Sequence, residues 1–491
     1  MKFESEQLRI FRDLSQDWNP LHSDPDYSKR TQFGQPVVFG MAAVLFALGQ
    51  WAKGRRFRLL SIHGEFLKPL FQGINYRLEA AESSTAEHQE VVLSVLKGTV
   101  LQSKIVFSWI DRQAKDGSSF ATFRADRQAN ALNSTGYIMD RFPYSPDFEA
   151  LRCFEQAFQF RPDQIPSSQL ATLLWASYFT GMVFPGRQAF FSSFDIKFRL
   201  SIVLPTHTPF QMTKIEGVFD DRVNRTVTTA EGTGIESLTI TAFNRPEPVT
   251  DSMDEIAARI KGRRDWAEKN VFVTGGSRGF GAALVKGLTL QGANVGFNYL
   301  SSEGNAVEVD REISHYGGNS WSIRADLGDD TDCRRIKEHL TKEFSSLDLL
   351  IHNASPVIGA KSFTEQTPDE LIEFVSYSTN LISRLTFYSI SIMKPGGLMM
   401  LISSAYAKHP EPQFAHYAAA KGAAEGLMRG LAKEYRKLRF LVVRPPRMLT
   451  DQTNDVAFPR KPSQSTSEVL GNLFDHLQLL SWDENFQEVD L

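Results

Sequence analysis

At 491 residues the chain is too long for one ordinary hydrophobic core, which points to two or three domains. Its 42% hydrophobic and 23% charged residues exclude a disordered or fibrous chain, and a net charge of −3 gives no electrostatic footprint for nucleic acid. The two cysteines, Cys153 and Cys333, lie far apart in no metal or disulfide pattern, as expected of a cytoplasmic protein that holds no metal. The start, Met1-Lys-Phe-Glu-Ser-Glu, is charged and leads into no signal-peptide core. The longest uncharged runs, Gln32 to Ala52 and Ser167 to Gly186, carry Gly, Pro, Gln or Ser and read as buried helices rather than membrane spans.

The first chemistry-bearing stretch is Asp17-Trp18-Asn19-Pro20-Leu21-His22. Pro20 is expected to stop regular structure, so that Asp17 and His22 share a short irregular loop. From Pro36 to Trp51 follows a helix apolar on nearly every side, which a sheet must wrap. Glu90 to Lys97 and Thr99 to Ile110 are rich in β-branched and aromatic residues and read as strands.

A sheet around one apolar helix, preceded by D-x-N-P-x-H, resembles the hot-dog fold of MaoC-like (R)-specific enoyl-thioester hydratases. The resemblance implies that Asp17 and His22 are the acid–base pair that adds water to a 2-enoyl thioester, or removes it from a 3-hydroxyacyl thioester. It implies too that Asn19 shapes the loop and that the N–H groups near Gly40 receive the thioester oxygen. This chain departs from the family at Phe39-Gly40-Met41, where the usual motif is His-Gly-Met.

A shift of 132 positions lays Gly49 on Gly181 and Phe66 on Phe198, and the two uncharged helical runs then coincide. This internal repeat implies a double hot dog, an α+β region with a first copy over residues 1–116 and a second over 125–249. The shift puts Glu149 and Phe154 opposite Asp17 and His22, so the second copy lacks the motif and is expected to stand in for a dimer partner. Asn244-Arg-Pro-Glu-Pro-Val and a charged run to Arg264 mark a boundary, with an expected linker over 250–264 that includes a short bridging helix.

From Asn270 on, strands and helices alternate: Val271–Thr274, Asn294–Asn298, Asn319–Arg324, Leu347–Ile351, Leu398–Ile402 and Phe440–Val443 are the strands. Alternation implies an α/β, Rossmann-type, doubly wound parallel sheet over 265–491 with ligands at the carboxyl ends of its strands. Thr274-Gly-Gly-Ser-Arg-Gly-Phe-Gly281 lies between a strand and a helix, the context a dinucleotide loop requires.

Here the chain resembles the short-chain dehydrogenase/reductases, in particular 3-ketoacyl-carrier-protein reductases. Tyr417-Ala-Ala-Ala-Lys421 matches their Tyr-x-x-x-Lys, with Ser404 thirteen residues before it and Asn380 where their helix asparagine stands. The resemblance assigns catalysis to Asn380, Ser404, Tyr417 and Lys421. It assigns cofactor contacts to Thr274, Gly275, Ser277, Arg278, Gly279, Phe280, Gly281, Asn298, Ser301, Asp326, Leu327, Asn353, Ala354, Tyr417, Lys421 and Pro445. An ammonium at Lys421 is expected to draw the Tyr417 pKa down. No acid follows the second strand until Glu303, while Arg278 and Ser301 suit a 2′-phosphate, so the expected cofactor is NADPH. Departures are His352-Asn-Ala-Ser355 and Pro445-Pro446, and the tail beyond Pro459 reads as polar, then helical from about Ser467.

Together the parts imply a bifunctional NADPH-dependent 3-ketoacyl-thioester reductase and 3-hydroxyacyl-thioester dehydratase of fatty-acid or polyketide-type biosynthesis. A degradative hydratase/3-hydroxyacyl dehydrogenase, or a ketoreductase with a non-catalytic hot-dog module for thioester binding or assembly, remain the alternatives. Expected partners are an acyl thioester on acyl carrier protein or CoA, with Lys53, Arg55, Arg56 and Arg58 as a candidate patch for it. Self-association through the reductase region is also expected; nucleic acid and membrane are not.

Overall fold

The structure is a computed structural model of the chain. It describes all residues except 85–87, 112–117, 121–122, 133–134, 148, 200–207, 246–249, 261, 263, 452 and 454–462, and the side chains at 118, 119, 152, 208 and 365. Asp116, residues 246–249, 261 and 263 of the boundary read from sequence, and Pro459 in the tail, therefore lie outside the described residues. Two compact units result, one reaching residue 247 and the other starting at 248.

The first unit opens with α1 (Ser5–Ser15), α2 (Pro20–Ser23), α3 (Pro25–Lys29) and α4 (Gly40–Ala52). Strands β1 (Phe57–Phe66), β2 (Arg77–Ser84), β3 (Gln89–Lys97), β4 (Val100–Asp111) and the two-residue β5 (Ser118–Ser119) follow. The second copy comprises β6 (Gly136–Pro143), α5 (Leu151–Phe158), α6 (Ser167–Tyr178), β7 (Ala189–Phe198), the short β8 (Thr208–Pro209), β9 (Gln211–Asp220), β10 (Arg225–Gly232) and β11 (Ile235–Asn244). One antiparallel sheet of nine strands, in the order β2-β3-β4-β1-β7-β11-β10-β9-β6, runs through both copies.

The copies meet where β1 pairs with β7, with His63 opposite Asp195 and, on either side, Ser61 opposite Lys197 and Glu65 opposite Ser193. The 132-residue shift carries β1 onto β7 end for end, so these flanking pairs exchange under the repeat. The seam is thus a pseudo-twofold axis, and the unit is a double hot dog. Every residue of α4 from Met41 to Gly49 is buried, which explains why that helix has no polar face.

Two expectations change. Pro20 does not end regular structure; it occupies the first position of α2, where its missing N–H costs nothing, and Asn19 caps that turn by accepting from the Leu21 N–H at 3.0 Å. His22 therefore sits on a one-turn helix. The ungapped shift also misplaces the second copy's motif-equivalent segment. Helix α1 ends at Gln16 and α5 at Gln159, both left-handed (φ 57° and 53°), so Phe160 occupies the place of Asp17. A β-carbon on Gly49 would lie 2.9 Å from the Phe160 Cβ, just as one on Gly181 would lie 2.5 Å from Asp17 Oδ1. Fully buried Phe158 and Phe160 fill the second copy where the first holds its carboxylate.

The second unit alternates α7 (Met253–Ile260), β12 (Asn270–Val273), α8 (Gly279–Leu290), β13 (Asn294–Tyr299), α9 (Glu303–His315), β14 (Ser320–Arg324), α10 (Asp330–Phe344), β15 (Leu347–His352), α11 (Pro368–Ser389), β16 (Met393–Ile402), α12 (Ala415–Glu434), β17 (Arg439–Arg444), α13 (Thr466–Leu479) and β18 (Phe486–Asp490). Its parallel sheet has the order β14-β13-β12-β15-β16-β17-β18, a Rossmann arrangement whose direction of winding reverses at β12. The short apolar runs make strands covered on both faces. Helix α7, in the charged stretch before the first strand, buries Met253, Ile256 and Ile260 in the core of this unit. The seventh strand was not expected from sequence: Phe-Gln-Glu-Val-Asp is an edge strand with only Val489 buried, and its polar residues mask it.

Candidate active sites

In the first unit Asp17 follows the left-handed end of α1 and is 2% exposed. Its Oδ1 accepts the Asn19 N–H at 3.1 Å, and its Oδ2 accepts the Ser177 hydroxyl at 2.7 Å. Asn19 also braces the loop across the copies, its Nδ2 donating to the carbonyls of Gly181 at 2.8 Å and Gly186 at 3.1 Å. Ser177 and Gly181 come from the second copy, where α6 runs into a π-helical turn over Phe179–Val183. Lying four residues apart, they face the carboxylate together. Gly181 was visible in sequence as the mate of Gly49, but nothing there tied it or Ser177 to Asp17.

Electrostatics separate the two titratable groups. Burial pushes the Asp17 carboxyl up to about 7, against the hydrogen bonds from Ser177 and Asn19. His22 goes the other way: burial pulls it down to about 4, opposed by the Val37 carbonyl and reinforced by the charge of Arg245. A carbonyl only accepts, so the 2.7 Å contact between Nδ1 and Val37 O puts the proton on Nδ1 and leaves the Nε2 lone pair available. Phe39 stacks on the imidazole with centroids 4.1 Å apart, an apolar plate where the related motif has a second imidazole. Gly40 opens α4, where the first N–H groups have no helical acceptor. The loop thus presents a carboxyl able to give a proton and an imidazole able to take one. In the patch expected to receive a carrier, Arg55 is 3.6 Å from Glu82 and Arg56 is 2.5 Å from Asp163, so two of its charges are already balanced.

A substitution of Gly181 by Ala drives a methyl to 2.5 Å from Asp17 Oδ1. The expected result is loss of water addition to an enoyl thioester by roughly 10²-fold, the scale of a misplaced catalytic group, with carbonyl reduction untouched. Parallel assays of the two reactions on one preparation check it.

In the second unit the glycine loop joins β12 to α8. Gly275 and Gly279 have φ of +67° and +53°. A β-carbon on Gly281 would sit 2.0 Å from the Gly275 carbonyl, so only glycine lets the helix start this close to the loop. Several residues expected to touch cofactor are used in building the cradle. The Thr274 hydroxyl accepts the N–H groups of Asn353 and Ala354 at 2.8 and 3.0 Å, and Asn353 Nδ2 donates to the carbonyls of Thr274 and Gly275 at 3.2 Å each. Asn298 accepts from the Gly275 N–H at 3.0 Å and donates to Ala325 O at 3.1 Å. Asp326 takes the Gly328 N–H at 2.7 Å and the Tyr377 hydroxyl at 3.3 Å. Ser277, Phe280 and Leu327 are buried beside them.

Arg278 immediately precedes α8 and is half-buried, as is Ser301 just beyond β13, and both lie at the carboxyl edge of the sheet. Pro445 is buried at the end of β17, and the loop after it returns over the helix start, where a β-carbon on Gly279 would meet Thr450 Cγ2 at 3.6 Å. That approach makes Thr450 a wall of the cradle, a residue unremarkable in sequence.

Tyr417 and Lys421 lie one turn apart on α12, with the ammonium 5.7 Å from the phenol ring centroid. Ser404, just beyond β16, hydrogen-bonds the Tyr417 hydroxyl, and Lys421 Nζ donates to Ile402 O at 2.9 Å. Asn380 is half-buried on α11, which packs along α12. The expected lowering of the Tyr417 pKa is reversed: burial pushes the phenol up to about 12, Ser404 opposing and Tyr406 adding to the rise. The ammonium is spent on a carbonyl rather than on the phenol oxygen, so Tyr417 stays protonated. His352, which replaces an asparagine of the related motif, bonds Thr386 Oγ1 at 2.9 Å and is held neutral by burial, down to about 3.

Comparison with known proteins gives two family matches. A model for short chain dehydrogenase covers residues 269–459, and one for a MaoC like domain covers residues 1–102. Hydroxynaphthalene reductase arp2 of Aspergillus fumigatus is 32% identical over 34% of this chain, which spans 61% of that protein. L-rhamnose 1-dehydrogenase (NADP(+)) of Thermoplasma acidophilum is 32% identical over 38% of this chain and 75% of its own length. Versicolorin reductase stcU of Emericella nidulans is 30% identical, over 40% and 76%. Among solved structures, a short-chain dehydrogenase/reductase from Serratia marcescens is 26% identical with a TM-score of 0.42, covering 46% of this chain and 97% of that one. Among the described residues no helix is long and apolar enough to cross a membrane, and no group of three or more His, Cys, Asp or Glu is placed to hold a metal.

Proposed function

This chain belongs to the short-chain dehydrogenases and carries a MaoC-like domain ahead of that region; from that premise we propose that it reduces a 3-ketoacyl thioester with NADPH and then dehydrates the 3-hydroxyacyl product. The observation that carries this reading is the pairing in one chain of the Ser404–Tyr417–Lys421 arrangement with a buried Asp17 held by Ser177 and a His22 whose Nδ1 is held by Val37 O. The alcohol made at the first site is the substrate of the second, and a shared chain raises its local concentration.

The cradle fits a dinucleotide: the glycine loop and the start of α8 would take the pyrophosphate, and Arg278 with Ser301 a 2′-phosphate. When bound, the nicotinamide supplies the hydride. At the reductase site Ser404 orients the carbonyl oxygen and Tyr417 gives it a proton, which a buried, protonated phenol favours in the reductive direction. Two relatives are named as reductases and one for NADP(+), in line with this direction and cofactor. At the other site His22 Nε2 takes the proton next to the thioester carbonyl, Asp17 gives one to the departing hydroxyl, and the Gly40 N–H steadies the enolate oxygen. Pathway class follows as fatty-acid or polyketide-type synthesis, with the thioester carried by acyl carrier protein or CoA. Self-association through α11 is part of the same reading, supported by its exposed Ile372 (59%) and Phe387 (75%).

Incubation of the purified chain with NADPH and a 3-ketoacyl thioester, read by mass, tests the proposal. An enoyl product is expected, and Asp17→Ala should stop the sequence at the alcohol. Alcohol alone from the unaltered chain, with no water exchange into a supplied enoyl thioester, would reduce the hot-dog unit to a binding role.

A further inference from the structure

Helix α12 carries Tyr417, Lys421 and Glu425 at successive turns, hence on one face. Glu425 is 3% exposed, and its carboxylate is the meeting point of three branches of the reductase site. The Ser403 hydroxyl donates to Oε1 at 2.6 Å, and Ser403 precedes Ser404. Arg444, 1% exposed and next to Pro445, grips both oxygens, Nε to Oε1 at 2.8 Å and Nη2 to Oε2 at 2.6 Å. Lys421 lies one turn before it, where burial pulls the ammonium down to about 8 and Glu425 is the group that opposes the fall.

The surrounding charges come from every element packed there. Arg429 on α12 reaches Glu425 at 3.2 Å and Glu488 at 3.0 Å; Arg444 on β17 also reaches Glu488 at 2.8 Å and Asp490 at 3.3 Å, both on β18. Lys408, shortly after Ser404, pairs with Asp490 at 2.8 Å. Arginines and lysine on one side and carboxylates on the other are three and three, so the cluster is neutral only while Glu425 is charged. A buried ion pair of this kind stabilises a fold little better than apolar packing would, so stability alone does not account for its place beside the Tyr417 site.

We propose that Glu425 is a positioning residue of the reductase: it keeps Lys421 charged and holds the Ser404 strand end and the Pro445 loop in register with Tyr417. The proposal rests on the reductase reading above. Removing the Glu425 charge leaves Arg429 and Arg444 only their β18 partners Glu488 and Asp490 and adds one net positive charge beside Lys421, so the lysine releases its proton at lower pH.

The test titrates Lys421 by NMR of carbon-labelled lysine in the full chain, its signal assigned by disappearance in Lys421→Arg. In Glu425→Gln its midpoint is expected to fall by about one pH unit, and in Ser403→Ala to stay in place. Turnover is read alongside: kcat should drop about tenfold in both variants with KM for NADPH little changed, and the alkaline limb should move down in Glu425→Gln alone. A folded Glu425→Gln whose Lys421 midpoint matches the unaltered chain overturns the proposal. The titration needs no turnover, so a chain that fails to reduce 3-ketoacyl thioesters is told apart from a Glu425 without influence on Lys421. Should Glu425→Gln not fold, Arg444→Lys keeps the charge but loses the two-pronged grip. It is then expected to lower kcat about tenfold with the Lys421 midpoint unmoved, and an unaltered kcat overturns the proposal.

Discussion

Replacing Tyr417 by Phe is expected to lower NADPH-dependent reduction by roughly 10²–10⁴, the usual contribution of a placed general acid, while water addition to an enoyl thioester continues unchanged. The ring would still pack against Tyr406, 6.2 Å away between centroids, so only the hydroxyl is lost. Because burial holds that hydroxyl protonated up to about 12, the unaltered enzyme should show no loss of reduction from Tyr417 ionisation through the neutral and mildly alkaline range. An alkaline limb below that is expected from Lys421, whose ammonium burial pulls down to about 8 against the charge of Glu425. NADPH absorbance followed against pH, for Tyr417→Phe and the unaltered chain, measures both points. Undiminished reduction in the variant would remove Tyr417 from the chemistry.

The second large effect joins catalysis to stability. Asp17→Asn is expected to abolish hydration and dehydration, by roughly 10²–10⁴, and at the same time to make the hot-dog unit more stable above pH 7. The carboxyl is raised from 3.8 in the open chain to about 7 when folded, so the folded state prefers it protonated. Its stabilising contribution is complete below about pH 4 and is lost as the pH rises through about 7, where folding must keep a buried charge. Asparagine has no charge to bury. Its carbonyl can accept the Asn19 N–H and its amide can donate to the Ser177 oxygen, so the existing hydrogen bonds have a match. A gain of roughly 1–3 kcal/mol at about pH 8, shrinking towards pH 4, is the expected outcome in thermal unfolding. Equal stability of the two proteins at both pH values would mean that Asp17 is not a strained acid.

Most of the reductase region was legible because its chemistry is local in sequence. The loop from Thr274 to Gly281 and the Tyr417–Lys421 spacing each fit within about two helical turns, so residue type and spacing carry the geometry. What escaped depends on long-range meetings. Thr274, Asn298 and Asn353 look like ligand contacts in sequence, yet Asn298 and Asn353 bond the backbone of the glycine loop and Thr274 accepts the N–H groups of Asn353 and Ala354. The Tyr417 proton affinity depends on how deeply α12 is buried, which a four-residue spacing does not contain. In the hot-dog unit the D-x-N-P-x-H motif marked Asp17 and His22, but the partners that set Asp17, Ser177 and Gly181, lie 160 residues or more along the chain. The second copy's lost site was misaligned because loops before α6 differ in length, and only the matching left-handed turns at Gln16 and Gln159 reveal that Phe160 has taken the aspartate's place.

The pairing of β1 with β7 has a consequence for how the hydratase site responds to dilution. Where two identical hot-dog chains must meet, each site forms only as far as protein concentration allows. Here Asp17 and its Ser177 and Gly181 partners belong to one covalent chain, so the site should assemble at any concentration at which the chain folds. The tandem arrangement also leaves one buried carboxylate for two copies of the fold, with Phe158 and Phe160 serving the core in the second.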